Sequence, residues 1–256
     1  MSSIGPFPDL GVTIGEDYVA TVEIQRPPHN YFDHILIQSL ADAFDAIDNH
    51  DGARAIVLRA QGKSFCAGAN FNGPREDQPG QLYREAVRLF STKTPVVAAV
   101  QGAAIGGGLG VAMMADFRVA SPEARFAANF ARLGFHQGFG LSVTLPGVVG
   151  QQRALDLLYT GRRVNGEEAA AMGLADRLVP AESLNEEAHA FALEIARSAP
   201  LAVISIRQTM RGDLADKVKA ATDHELVEQD RLRRTEDFKE GIKATAERRL
   251  PDFKGH

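Results

Sequence analysis

Hydrophobic positions in the first half of this chain switch between short β-branched runs and the three-to-four spacing of helices. Residues 12–24 read as a β-hairpin turning near Gly15 and Asp17, and Pro27 and Pro28 end it. Leu36, Leu40, Ala43, Phe44 and Ile47 then recur at helical spacing. Residues 55–58 (Ala-Ile-Val-Leu) predict a short buried strand, and residues 81–90 an amphipathic helix. The run 94–101 is apolar, β-branched and bounded by Pro95, the pattern of a strand buried on both faces. Residues 109–115 continue as a buried helix, and 117–120 and 125–127 as strands. Strands alternating with helices at this pitch predict an α/β domain of repeated β-β-α units. The polar segment 71–81, with Gly73, Pro74, Pro79 and Gly80, predicts a mobile loop.

Beyond Val148 the pattern becomes helical. Residues 151–159, 166–172, 184–198 and 200–211 read as helices, followed by long charge-rich helices over 216–239 and 240–250, the first with heptad-like Leu226 and Leu232. A tail this charged cannot bury Val218, Leu226, Val227 and Phe238 by itself, so it is expected to pack on the core or on a neighbouring subunit. The chain therefore divides into a core over 1–198 and a C-terminal helical region over 199–256.

The composition narrows the function. With 256 residues, 45% of them hydrophobic, the chain can bury a sizeable core. A net charge of −5 and a pI near 5.8 disfavour nucleic acid as a partner. The N-terminus lacks a charged region followed by a long apolar run, and no stretch reaches a bilayer-spanning length. The single cysteine, Cys66, excludes an internal disulfide and a cysteine-cluster metal site. A cytoplasmic protein with no membrane partner is the expectation.

The chemistry concentrates in two small-residue loops, one around Gly68 and Ala69, the other at Gly106, Gly107 and Gly108, where an apolar strand turns into an apolar helix. A helix N-terminus carries unpaired N–H groups and the positive end of a dipole. Glycines there let a ligand approach those groups, so the pattern suits an oxyanion. Two other glycine motifs fail on spacing. A dinucleotide fingerprint starting at Gly106 would need glycine or alanine where Val111 stands. A phosphate loop ending in Gly62-Lys63-Ser64 would need its first glycine at Val57.

These residues resemble the crotonase superfamily, the enoyl-CoA hydratase/isomerase family. The resemblance runs from Arg26-Pro27-Pro28 to the closing Phe253-Lys254, and is most specific over residues 63–71, 100–110 and 115–118. It implies a spiral β-β-α core, a C-terminal helical trimerisation region, assembly as homotrimer or hexamer, and a coenzyme A thioester as substrate, with no separate cofactor and no metal. It places the oxyanion hole at the backbone amides of Ala69 and Gly107. It implies a substrate-binding surface at Pro28, Asn30, Lys63, Cys66, Gly68, Asn70, Phe71, Asn72, Gly106, Gly108, Asn129, Phe130, Leu133 and Gly134, with Arg248 and Lys254 toward the coenzyme phosphates.

The chain also departs from the family pattern. The two hydratase glutamates fall at Gly110 and Phe130, and the carboxylate of some isomerases and dehalogenases falls at Gly138. None of these residues transfers a proton. His136 is the nearest titratable candidate in sequence. Glu76 and Asp77 lie in the polar loop, Asn129 and Asn70 are candidates to hold an acyl oxygen or water, His29 to line the coenzyme entrance, and Phe130, Phe135 and Phe139 to form an aromatic pocket wall. Two functions fit: an acyl-CoA enzyme that stabilises an enolate without the usual glutamates, or an acyl-CoA-binding protein with little catalysis.

Overall fold

The computed structural model describes residues 2–70 and 79–256 of the chain. β1 (Ser2–Ser3), β2 (Leu10–Ile14) and β3 (Val19–Ile24) form an antiparallel meander, its second turn closed by the Gly15 amide donating to Val19 O at 2.9 Å. α1 (His34–Asp48) starts where the Asp33 carboxylate accepts from the Leu36 amide at 2.9 Å. It buries Leu36, Ile37, Leu40, Phe44 and Ile47 and crosses over so that β4 (Ala55–Ala60) pairs parallel to β3. α2 (Pro79–Phe90) makes the next crossover into β5 (Val96–Val100), whose residues are all buried, which is why its run is uninterruptedly apolar.

β6 (Ala103–Ile105) leads into α3 (Gly107–Met114), then β7 (Phe117–Ala120) and β8 (Arg125–Ala127). α4 (Leu141–Val149), α5 (Gln151–Thr160), β9 (Val164–Asn165), α6 (Gly166–Met172) and β10 (Arg177–Leu178) follow. The remaining helices are α7 (Leu184–Ala196), α8 (Pro200–Arg211), α9 (Leu214–Leu232) and α10 (Glu236–Ala246). The larger sheet has the order β1-β2-β3-β4-β5-β7-β10, the smaller β6-β8-β9. The main core gathers one face of the large sheet with α1, α2 and α3, and α7 covers the other face with Leu184, Ala188, Ala192 and Ala196 against Val57, Val97, Ala99 and Val119.

The two-residue strands β1, β9 and β10 were not expected, α2 begins at Pro79 inside the segment expected to be a loop, and three further elements differ. β6 hides in the glycine-rich stretch, because three residues are too short to show a period. α4 was not expected; it holds Pro146 inside and begins after left-handed Gly140. The helix expected over 216–239 breaks after Leu232, and Thr235 caps α10 by accepting from the Phe238 amide at 3.1 Å. Part of the tail's apolar stripe is satisfied within the chain: Val218 is buried beside Gly140, and the Phe238 ring meets that of Phe135 with centroids 5.2 Å apart. Val227 stays exposed, and α8 buries none of its residues while presenting Leu201, Ile206 and Met210 to solvent. Among the described residues no single helix is long and apolar enough to cross a membrane.

Candidate active site

Two loops meet because backbone pairing forces them together. Cys66 bridges Ala104 in parallel: its amide donates to Ala103 O at 2.9 Å, and its carbonyl accepts from Ile105 N at 3.1 Å. Gly68, at φ +92°, lies so close that a Cβ there would stand 2.8 Å from Ile105 O. The Gly106 amide donates to Ala127 O at 2.8 Å, and its φ of +57° turns the chain into α3. The first helical bond runs from Gly110 N to Gly106 O, so the Gly107, Gly108 and Leu109 amides precede the helical ladder. The Ala69 amide finds no acceptor among the described residues. The Gly107, Gly108 and Leu109 amides thus lie at the positive end of α3, and the Ala69 amide lies on the loop that Cys66 pairs to β6.

Phe32, which the sequence reading missed, braces both loops. Its backbone bridges Ala69, with its amide donating to Gly68 O at 3.1 Å, and its ring lies where a Cβ on Gly107 would stand 2.4 Å from it. Gly108 is excluded from bearing a side chain by Cys66, whose carbonyl would meet it at 2.1 Å. Cys66 is fully buried, and burial pushes its thiol up to about 12, so it is a packing group rather than a nucleophile near neutral pH.

The three positions without carboxylates are occupied by other groups. Gly110 faces the Phe139 ring, whose atoms would stand 2.6 Å from a Cβ there. Phe139 itself has φ +62°, an uncommon backbone for a bulky residue. Its ring meets Phe32 edge-on at 5.8 Å. The Phe130 ring tip would be 3.7 Å, and Asn129 Oδ1 3.5 Å, from a Cβ on Gly106. Gly138 faces the Tyr83 hydroxyl and the Gln229 amide nitrogen, which would stand 2.0 and 2.5 Å from a Cβ.

Tyr83 belongs to a polar cluster that no sequence period could reveal, since it joins α2, α9 and the segment 136–142. Its hydroxyl donates to Gln229 Oε1 at 3.0 Å, and Gln229 Nε2 donates to His136 O at 3.1 Å. Burial, with Glu225 nearby, holds the phenol above its ordinary pKa. Glu225 is fully buried and accepts from Gly140 N at 2.9 Å, Ser142 N at 3.1 Å and Ser142 Oγ at 2.6 Å, capping α4 from α9. The cluster fixes the segment that carries Phe139.

The remaining expected site residues are dispersed. His136 Nδ1 lies 2.9 Å from Gln137 O, and its ring packs edge-on to His224 of α9 at 5.8 Å, so its contacts run to α9 rather than to the glycine loops. Asn30 is fully buried and spends its side chain on backbone: Oδ1 accepts from Arg26 N, and Nδ2 donates to Gln61 O and Ser64 O, both at 2.7 Å. It ties the Pro28 segment to the loop before Cys66. Lys63 and Asn70 are exposed at the mouth of that loop. His29 meets Tyr31 with ring centroids 5.3 Å apart. Leu133 and Gly134 are in backbone contact with α10, at Gly241 and Asp237. Arg248 is exposed at the end of α10, while Lys254 pairs with Asp252 at 2.9 Å. Arg26 is engaged by Asp9 and Asp33, each at 2.7 Å, and so is not a free cation. Phe71, Asn72, Glu76 and Asp77 lie outside the described residues.

Comparison with known proteins gives the family and the fold. The family model described as enoyl-CoA hydratase/isomerase matches residues 15–256. A Bacillus subtilis protein named a probable enoyl-CoA hydratase is 30% identical over 94% of this chain and 96% of its own length. A carnitinyl-CoA dehydratase of Proteus mirabilis is 32% identical over 93% of this chain and 95% of its own. The crystal structure of an enoyl-CoA hydratase/isomerase from Pseudoalteromonas atlantica superposes with a TM-score of 0.86 at 31% identity, covering 96% of this chain and 100% of that one. With its β-β-α spiral and paired glycine loops, the chain belongs to the enoyl-CoA hydratase/isomerase family, the crotonase superfamily.

Proposed function

We propose that the protein is an acyl-CoA thioester enzyme that stabilises an enolate between the backbone amides of Ala69 and Gly107, without the two glutamates of a hydratase. The observation that carries the reading is the juxtaposition of an unbonded Ala69 amide with the first amides of α3 through the pairing of Cys66 and Ala104. Two N–H donors aimed at a thioester oxygen favour the state in which charge has moved onto it, and each such donor is worth about 3–4 kcal/mol. A second reading, an acyl-CoA-binding protein with little catalysis, is favoured by the aromatic rings and phenol that fill the positions around Gly110 and Gly138. Ala69→Pro separates the two, because it deletes one donor. For the enzyme, turnover of its thioester substrate falls at least about 10²-fold while coenzyme A binding by calorimetry persists. Unchanged turnover in a folded Ala69→Pro protein would sink the oxyanion assignment.

In this reading Arg248, exposed and without an ion-pair partner among the described residues, meets the coenzyme 3′-phosphate, and Lys254, paired with Asp252, is a second cation toward the phosphates. Arg248→Ala then weakens coenzyme A binding tenfold or more, a charge-assisted contact being worth about 1.5–3 kcal/mol, and barely changes binding of dephospho-coenzyme A. Equal losses for both ligands would remove Arg248 from the phosphate site.

The exposed Leu201, Ile206 and Met210 on α8 and Val227 on α9 support a C-terminal region over 199–256 that assembles a homotrimer or hexamer. Light scattering at micromolar concentration should give three or six times the chain mass of 27.6 kDa. A monomer would reject the assembly. The cytoplasm is the compartment that this reading fits, with its acyl-CoA substrate and a single buried thiol.

A further inference from the structure

We infer that Arg233 reads a carboxylate at the far end of the acyl group, so that the substrate is the coenzyme A thioester of a dicarboxylic acid. This rests on the thioester site proposed above. The observation behind it is the polar face that α9 turns inward. The buried residues of α9 are Val218, Thr222, Glu225 and Gln229, and Arg233 follows Gln229 by one turn. A helix face packed on a core is ordinarily apolar, and polar groups placed there need partners.

The buried polar groups of that face find theirs within the chain. Thr222 Oγ1 donates to Lys219 O at 3.0 Å. Glu225 spends both oxygens on Gly140 N, Ser142 N and Ser142 Oγ. Gln229 accepts from the Tyr83 hydroxyl and donates to His136 O. Arg233 differs. It is half-buried, and Nη2 donates to Gln229 Oε1 at 3.2 Å. Among the described residues no carboxylate pairs with its guanidinium, whereas Arg231 beside it holds Glu228 at 2.6 Å. Glu225 stands about two turns back along α9 and is committed to the start of α4.

The surroundings of this cation point it toward the acyl group. It lies over the Phe135 ring, 5.6 Å from the centroid. Phe135 meets Phe130 edge-on at 5.4 Å, and the Phe130 ring tip stands 3.7 Å from where a Cβ on Gly106 would be. Two ring contacts thus connect the glycine turn to the guanidinium. On its other side, Gln229 and Tyr83 fill the space in which a side chain on Gly138 would start. The ring offers no acceptor atom, so the guanidinium keeps a planar fork of donors for two parallel hydrogen bonds to a carboxylate. The coenzyme phosphates are the other anions of such a substrate. α10 runs from just after Arg233 to just before Arg248, about 16 Å, so the two cations serve different parts of the ligand.

The test measures Kd by calorimetry for glutaryl-CoA and adipyl-CoA, for valeryl-CoA and hexanoyl-CoA as monoacid counterparts of equal chain length, and for coenzyme A. The unaltered protein should bind at least one diacid thioester about tenfold or more tighter than its counterpart. That comparison stands whether or not a variant folds. Arg233→Met keeps the apolar stem and should abolish the preference without weakening the monoacid thioesters or coenzyme A. Arg233→Lys should keep part of the preference. Binding of the monoacid thioesters with no diacid preference overturns this inference and leaves the thioester site standing. Binding of none of them removes the thioester site, and this inference with it. A loss for coenzyme A equal to that for glutaryl-CoA in folded Arg233→Met would put the guanidinium on a phosphate and overturn the inference. Glu76 and Asp77 lie outside the described residues, so Glu76→Gln with Asp77→Asn serves as a control. A diacid preference that emerges only in that variant would give Arg233 a partner in its own chain, and would likewise overturn the inference.

Discussion

Offered crotonyl-CoA, the protein will hydrate it about 10²–10⁴-fold more slowly than a two-glutamate hydratase for each missing acid–base group. By family resemblance those groups belong at Gly110 and Phe130. The structure adds that their loss is not reversed by replacing them. A Cβ on Gly110 meets Phe139 at 2.6 Å, so Gly110→Glu must displace a buried ring before its carboxylate reaches any ligand. Gly110→Glu with Phe130→Glu should therefore remain a poor hydratase. Adding Phe139→Gly, which suits the left-handed backbone and clears the ring, should raise hydration. Steady-state assays of these three proteins decide the matter. Ordinary hydratase rates in the unaltered protein would mean that another base has been recruited.

Asp116→Ala should destabilise the folded protein by about 3–5 kcal/mol, the usual cost of removing one partner of a buried ion pair. The Asp116 side chain is 9% exposed. It accepts from the Arg207 Nε at 3.0 Å, from Arg211, and from the Val96 amide at 2.8 Å. Arg207 also donates to Thr92 O, and Arg211 to Met114 O at 3.0 Å. Without the carboxylate, two poorly solvated guanidinium groups of α8 lose their counter-charge, and α8 loses its main polar tie to the sheet. Urea unfolding followed by circular dichroism measures the change, and a midpoint shift equivalent to less than about 1 kcal/mol would show the network to be dispensable. A companion loss of the assembled state would follow, because α8 carries the exposed apolar face.

The core was legible in the sequence because its central strands β4 and β5 are buried on both faces over most of their length. Residues 94–101 announce β5 by composition alone, and α1 declares itself by the spacing of Leu36, Leu40, Phe44 and Ile47. The glycine junction was legible for a different reason: an apolar strand running into Gly106-Gly107-Gly108 leaves backbone amides as the only chemistry. What stayed hidden depends on pairs distant in sequence. Nothing near Glu225 signals that it caps α4, 85 residues away at Gly140. Tyr83 is separated from Gln229 by 146 positions, and Asp116 from Arg211 by 95. His136 looked suitable from its place beside the vacated positions, but the turn that carries it directs its ring to His224.

Phe32 gives the two halves of the amide pair a common mount. Its backbone is laced to Gly68 and Ala69 while its ring rests on Gly107. The first loop and the start of α3 are thereby packed on one residue. In the proposed oxyanion site, donors built from main chain have no rotamers to search, and among the described residues Phe32 is the one side chain that touches both loops that carry them. The tolerance of the site is therefore mechanical, and it is concentrated in a single side chain that touches no proton in the reaction.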